Sequence, residues 1–158
     1  MKKLLIFVIA LVFCSNIAIA GSVNSYDKYG SKTGSYRTTG STTTSYDKYG
    51  AKTGSYKTKG NTTTSYDKYG AKTGTYKKNG NTTTQYDKYG AKVGTYKTNS
   101  NGVTTSYDKY GQKTGSYKKD SSGKIIEYNK YGQKVGSYKW YKLVWCQYVK
   151  GYKICFGS

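Results

Sequence analysis

The residues with chemistry to offer are tyrosines and lysines, and they recur at fixed intervals. The string Ser-Tyr-Asp-Lys-Tyr-Gly at residues 25–30 returns at 45–50 and 65–70. It comes back with a changed first residue at 85–90, intact at 106–111, and as Glu-Tyr-Asn-Lys-Tyr-Gly at 127–132. Each copy continues with a Lys and a second Gly-(Ser/Thr)-Tyr step. Every copy therefore offers one tyrosine inside a turn (Tyr29, Tyr49, Tyr69, Tyr89, Tyr110, Tyr131) and one lysine just after it (Lys32, Lys52, Lys72, Lys92, Lys113, Lys134). Phenolic faces stack on the apolar faces of sugar rings, and ammonium groups pair with phosphate or carboxylate. These twelve residues are the candidate ligand-binding set. Tyrosines elsewhere in the repeat have a second reading, as a substitute core, because Val93 and Val103 are the only large aliphatic residues between positions 25 and 124.

Composition excludes most catalysis. The chain of 158 residues has no His, so Ser–His and Cys–His nucleophile pairs and His-ligated metals are out of reach. Seven acidic residues, scattered through the chain, make a carboxylate dyad implausible. Asp27 and its equivalents read as turn residues, because one carboxylate beside a lysine is a poor site for a hard cation. The expectation is a protein that is not an enzyme, with no catalytic residues, no metal and no cofactor. The 27 Lys and Arg set a formal charge of +20, which directs attention to anionic partners.

The elements that must position these residues are short strands. The copies step by 20 or 21 residues, a period that marks a repeat architecture. Asp47-Lys48-Tyr49-Gly50 has Asp at the first turn position and Gly at the fourth, as a type I turn followed by a left-handed residue prefers. A second turn is expected near Thr58-Lys59-Gly60. Copies four and five each carry an extra residue there, and an insertion so placed marks a loop. Two turns per copy leave two short strands, and no window has helical apolar spacing. The expected fold is all-β: a repetitive antiparallel hairpin array with about two strands per repeat, extended or spiralling as one sheet.

Register follows from the loops. A three-residue loop at 48–50 pairs Tyr46 with Lys52, Thr44 with Gly54 and Thr42 with Tyr56. One face would then carry Tyr46, Lys52, Gly54, Tyr56 and Tyr66, with each Lys between two rings and Gly54 leaving room for a ring over bare backbone. The apolar residues Ile125, Ile126, Val135, Trp140, Leu143, Val144 and Trp145 suit a terminal cap for the array.

The ends of the chain add two expectations. Met1-Lys2-Lys3, an apolar run over residues 4–13 and Ala18-Ile19-Ala20 form the pattern of a secretory leader cleaved after Ala20. Cleavage removes Lys2 and Lys3 and leaves +18. The mature chain then has no transmembrane segment, and its two cysteines, Cys146 and Cys155, read as a disulfide. If Lys150-Gly151 is a hairpin tip, Cys146 faces Cys155, with Trp145, Val149, Tyr152, Ile154 and Phe156 along the alternate face. The organisation is thus a leader at 1–20, six repeats over 21–136 and an apolar hairpin cap at 137–158.

The string Asn101-Gly102-Val103-Thr104-Thr105-Ser106-Tyr107-Asp108-Lys109-Tyr110-Gly111 resembles the YD repeat of Rhs-type and teneurin-type proteins, over about residues 25–136. That resemblance implies β-hairpins in a long spiralling sheet that presents a surface to glycans and other partners. The Arg-Leu usual after the Gly of that repeat is Ala51-Lys52 here. The repeats are also similar, more weakly, to choline-binding and glucan-binding surface repeats, whose aromatics cage quaternary ammonium or sugar rings; Trp140 and Trp145 lie outside the repeats. Both resemblances imply an extracytoplasmic array. The expected function is secreted, periplasmic or cell-surface binding of envelope or matrix polymers, either glycans or polyanions, through the Tyr and Lys ladders. The alternative is a structural or adhesive protein that self-associates through strand edges. Export makes intracellular nucleic acid an unfavourable partner.

Overall fold

The computed structural model describes residues 21–142, together with 145–149 and 152–156. The leader at 1–20 and the Lys150-Gly151 tip lie outside the described residues. The described chain is all-β. Its first twelve strands are β1 (Gly21–Asp27), β2 (Lys32–Thr39), β3 (Thr42–Asp47), β4 (Lys52–Lys59), β5 (Thr62–Asp67), β6 (Lys72–Asn79), β7 (Thr82–Asp87), β8 (Lys92–Thr98), β9 (Thr104–Asp108), β10 (Lys113–Lys119), β11 (Ile125–Asn129) and β12 (Lys134–Lys142). Each pairs antiparallel with its neighbours in the chain, and β1 pairs with β12. The expected hairpin array is present with two strands per repeat, but it closes into a barrel instead of running on as an open or spiralling sheet.

Register explains the closure. Ser45 stands opposite Gly54, and Gly54 stands opposite Asp67, two residues beyond the equivalent Ser65. The same step takes Ser25 through Gly34 to Asp47. It recurs through Gly115 and Asn129, and the last step sets Gly136 opposite Asp27 on the first strand. A stagger of about two residues per hairpin amounts to about one residue per strand around the ring, which goes with strands tilted at about 35–45° to the barrel axis. Six repeats complete the circumference.

The turns alternate in kind. At one end Asp47 Oδ1 accepts the backbone N–H groups of Tyr49 and Ala51, both at 2.9 Å, and the N–H of Gly50 donates to the Asp47 carbonyl at 3.2 Å. At the other end the loop is two residues, Gly60-Asn61, set between the paired Lys59 and Thr62. The expected turn at 58–60 therefore sits further along. Gly60 has φ of +55°, so the glycine takes the first loop position of a tight hairpin, a conformation that other residues resist. In copies four and five the extra residue converts this loop into the other kind. Gly102 N–H donates to the Asn99 carbonyl, and Gly123 N–H to the Asp120 carbonyl, both at 3.0 Å.

One expected register changes within each strand. Tyr46 does oppose Lys52, but a bulge follows, and Ser45 opposes Gly54 while Thr43 opposes Tyr56. A one-residue slip moves every later side chain to the other face of the sheet. The face expected to carry Tyr46, Gly54 and Tyr56 together is therefore split. Tyr36, Tyr56, Tyr76, Tyr96, Tyr117 and Tyr138 point into the barrel and are 1–8% exposed. Tyr46 and its equivalents lie on the outer wall. Gly54 serves a different purpose from the one expected: a Cβ there would come within 2.6 Å of the Tyr66 carbonyl oxygen, so the bulged strand needs a residue without one.

The inner tyrosines are the core. Val23 joins Tyr36, Tyr56 and Tyr138, and Ile125 packs against that cluster and against Tyr76, Tyr96 and Tyr117. Tyrosine works as a core residue when its hydroxyl has a partner. Gln85 accepts from Tyr96 at 3.0 Å, and Glu127 accepts from Tyr117 at 3.2 Å and Tyr138 at 3.1 Å. Both acceptors occupy the position that is Ser in the other copies. Smaller inner side chains pair with one another, as Thr58 does with Thr63 at 3.0 Å and Thr53 with Ser45 at 2.9 Å.

Ile125, Ile126, Val135 and Trp140 thus belong to barrel strands and not to a separate cap, and β12 runs to Lys142, past the expected boundary at 136. Beyond it, β13 (Trp145–Val149) and β14 (Tyr152–Phe156) form a two-stranded sheet in which Cys146 stands opposite Cys155. The backbone register is the one expected from the sequence; the side chains of this hairpin lie outside the described residues.

The split between inner and outer tyrosines has a direct test. Tyr76→Ala should destabilise the barrel by about 3–5 kcal/mol, the usual cost of deleting a buried aromatic. Tyr69→Ala, at a turn tip, should change stability by no more than about 0.5 kcal/mol. Urea midpoints of the two variants read the difference.

Alkali should unfold the protein cooperatively. Burial pushes the Tyr56 and Tyr96 hydroxyls up to about 12. Burial first, and then neighbouring tyrosine and Glu127 charges, raise Tyr36, Tyr117 and Tyr138 further; Tyr76 is raised by burial and by Tyr96 and Tyr56. Unfolded tyrosines ionise near about pH 10. Above that value the unfolded chain releases protons that the folded chain keeps, so stability falls as pH rises from about 10 through about 12. Tyrosinate absorbance from the inner rings should appear together with loss of the strand circular-dichroism signal, and a separate earlier titration of those rings would contradict their burial.

Candidate functional site

The alternation of turns sorts the chain by end. All six Asp-Lys-Tyr-Gly or Asn-Lys-Tyr-Gly turns connect an odd-numbered strand to the next even one, so they gather at one end of the barrel. The two-residue loops gather at the other, where β1 begins and β12 ends. The six turn tyrosines therefore form a crown at the end away from both chain exits. They are 76–84% exposed.

The candidate lysines share that end. Lys32 pairs across strands with Tyr26, Lys52 with Tyr46, Lys72 with Tyr66, Lys92 with Tyr86, Lys113 with Tyr107 and Lys134 with Tyr128. Each is the first residue of its strand, directly below a crown turn. The fold thus brings all twelve sequence-selected residues to one rim, although they are spread over more than a hundred positions of chain.

A second set of lysines was missed from the sequence. Lys28, Lys48, Lys68, Lys88, Lys109 and Lys130 each place Nζ over the ring of the following tyrosine, 4.7–4.9 Å from its centre. A cation at that distance is attracted by the ring quadrupole. The signal was present, since a lysine precedes every turn tyrosine, but adjacent residues in a strand point to opposite faces, and only the turn brings them together.

The expected Tyr–Lys row on the wall also changes its members. The cation over Tyr66 is Lys57, at 5.8 Å; Arg37 lies over Tyr46 at 5.5 Å, Lys77 over Tyr86 at 5.6 Å and Lys97 over Tyr107 at 5.8 Å. The two-residue loop Gly60-Asn61 sets Tyr66 opposite Ser55, which leaves the lysine two places on as its diagonal neighbour. These cations stand on the outer wall. On a lipid-facing barrel wall, a lysine near the midplane costs about 2–4 kcal/mol, so this wall suits water.

The crown is rigid at its base and cationic at its surface. Asp27, Asp47, Asp67, Asp87 and Asp108 each use Oδ1 to accept two backbone N–H groups of their own turn at 2.9 Å. Asn129 does the same at 3.0 Å. These carboxylates are committed to the turns, while two lysines per turn remain at the rim. At the opposite end the loops are Gly40-Ser41, Gly60-Asn61, Gly80-Asn81 and the longer loops at 99–102 and 120–123, all without an aromatic residue. Exposed aromatic rings are thus concentrated at the crown, whereas lysines also flank the opposite loops, as Lys59, Lys78, Lys119 and Lys124 do.

No protein-family model matches the chain, and no curated protein sequence matches it.

Asn129 gives the turn its own control. Asp47→Asn should hold the turn, with a change within about 0.5 kcal/mol, because the amide oxygen can accept the same two N–H groups. Asp47→Ala removes the acceptor and should cost about 1 kcal/mol. Equal losses for the two variants in thermal melts would mean that the charge, and not the acceptor, holds the turn.

Proposed function

We propose that the protein is a non-enzymatic binder of extracellular polymers, glycans or polyanions, and that the crown is its contact surface. The observation that carries this reading is the gathering of six exposed tyrosines and twelve lysines at one rim. Exposed rings of this kind do nothing for the core, which the inner tyrosines already supply. Repetition of one small aromatic and cationic unit around a ring suits a ligand that is itself repetitive. The leader-like segment at 1–20 supports export, and the opposed register of Cys146 and Cys155 supports a disulfide in the tail. The hairpin built on each Tyr-Asp-Lys-Tyr-Gly turn supports kinship with YD-repeat proteins at the level of the single unit.

Barrel closure weighs against the structural alternative. Self-association through strand edges needs unpaired edges, and pairing of β1 with β12 leaves none in the barrel.

Co-sedimentation with isolated acidic envelope polysaccharide, from about 0.05 to 0.5 M salt, checks the proposal. At the upper limit screening shortens to a few Å, so binding that remains reports contact. Aromatic stacking contributes about 1–3 kcal/mol per ring. Replacing Tyr49, Tyr69 and Tyr89 together by Ala should weaken binding at least tenfold, while Lys59→Ala at the opposite end should leave it unchanged. Undiminished binding by the triple variant would remove the crown from the account.

A further inference from the structure

Resting on the reading of the crown as a polymer-binding rim, we infer that its ligand is a linear acidic polysaccharide that runs around the rim, one two-sugar repeat to each turn. Three features of the crown lead there.

The first is spacing. Equivalent residues of neighbouring turns are two strands apart across the sheet and two residues apart along it. With strands about 4.8 Å apart and a rise of about 3.3 Å per residue, neighbouring turns stand on the order of 10–12 Å apart. That exceeds a single sugar and suits a two-sugar repeat. The ring of turns is also continuous, because the step from Gly136 to Asp27 repeats the step made within every other pair. A ligand that follows the rim meets an equivalent unit at each step.

The second feature is the composition of each unit. One face of the Tyr49 ring is occupied by Lys48, 4.7 Å from its centre, which leaves a single face to stack on a flat apolar surface such as one side of a pyranose. A base sandwiched between rings would need two. The cationic groups of the unit are Lys48 and Lys52, beside the Asp47 carboxylate; the only Arg of the described residues, Arg37, lies on the wall over Tyr46. Lysine acts as a point charge that accepts a carboxylate or sulfate in many orientations, where a planar fork would demand one geometry. The third feature is the charge balance: twelve rim lysines stand against five turn carboxylates, each held by backbone N–H groups of its own turn, so the rim is net cationic and suits an acidic chain.

A rim of equivalent weak subsites reads length. Each further repeat of the ligand binds as an intramolecular event, so affinity should climb with chain length and level off once the rim is filled. The full chain is titrated by calorimetry at about 0.15 M salt with hyaluronan oligosaccharides of four, eight and twelve sugars, which carry one carboxylate per two sugars. Oligothymidylate of matching charge and uncharged cello-oligosaccharides serve as comparisons. The expected result is a gain of at least tenfold from four to eight sugars and a smaller gain from eight to twelve. Tyr69→Ala should lower the affinity of the eight-sugar ligand several-fold while the alkaline unfolding midpoint stays unchanged, which shows an intact barrel. Equal affinity per molecule at all three lengths would overturn the running-rim geometry while leaving polymer binding in place. Tighter binding of oligothymidylate would overturn the polysaccharide assignment in favour of single-stranded nucleic acid. Binding of none of the polymers, even at 0.05 M salt, would remove the underlying reading of the crown as well.

Discussion

The structure depends on one constraint, the two-residue stagger that each hairpin adds to the register. It comes from three local devices, one of them the short loop such as Gly60-Asn61 that sets Gly54 opposite Asp67. The Asp-Lys-Tyr-Gly turn fixes how β3 meets β4, and the bulge beside Tyr46 then shifts that pairing by one residue. Repeated six times with the same sign, the stagger cannot be taken up in a flat ribbon, and the normal twist of a sheet carries the strands round until Gly136 meets Asp27. Closure removes the strand edges and encloses an interior, and the interior gives a chain poor in aliphatic residues somewhere to bury its rings.

The same shift divides the tyrosines into three populations with different physics. The ring of Tyr36 and its equivalents is enclosed, and its hydroxyls need acceptors, so the substitutions of Gln85 and Glu127 for Ser matter more than their small number suggests. Tyr46, Tyr66, Tyr86 and Tyr107 lie half-buried on the outer wall beneath cations from the preceding strand. Tyr49 and its equivalents stand clear of the barrel at the turn tips with a lysine on one face. One residue type, with its amphipathic ring, thus serves as core, wall and exposed rim, and backbone register decides which.

The up-and-down topology separates the two ends. The six Asp/Asn-Lys-Tyr-Gly turns all fall at one end, and the three two-residue loops with the longer loops at 99–102 and 120–123 fall at the other, so a feature written into the crown turn is displayed six times on one rim. Gly60-Asn61 and the other two-residue loops close strands tightly and carry no aromatic ring. The crown turns carry an aromatic ring and a cation on a base that their own Asp side chain holds in place. The start of β1 and the end of β12 both lie at the plain end.

Much of this was legible from the residues. The period, the two turns per copy, the Asp acting through its own backbone and the pairing of Tyr46 with Lys52 are local matters, decided by residues within a few positions of one another. The register that sets Cys146 opposite Cys155 was legible for the same reason. What the sequence could not decide was non-local. A bulge depends on how a neighbouring strand's carbonyl approaches, as that of Tyr66 approaches Gly54, and the faces of all later residues follow from it. Closure depends on the sum of six small staggers, which no single repeat reveals. The cation over each crown ring was hidden because Lys48 and Tyr49 would diverge in a strand and meet only in the turn. The sequence by itself determined the unit and its chemistry; only the tertiary structure decided which rings are inside, and that the remaining ones share a single rim.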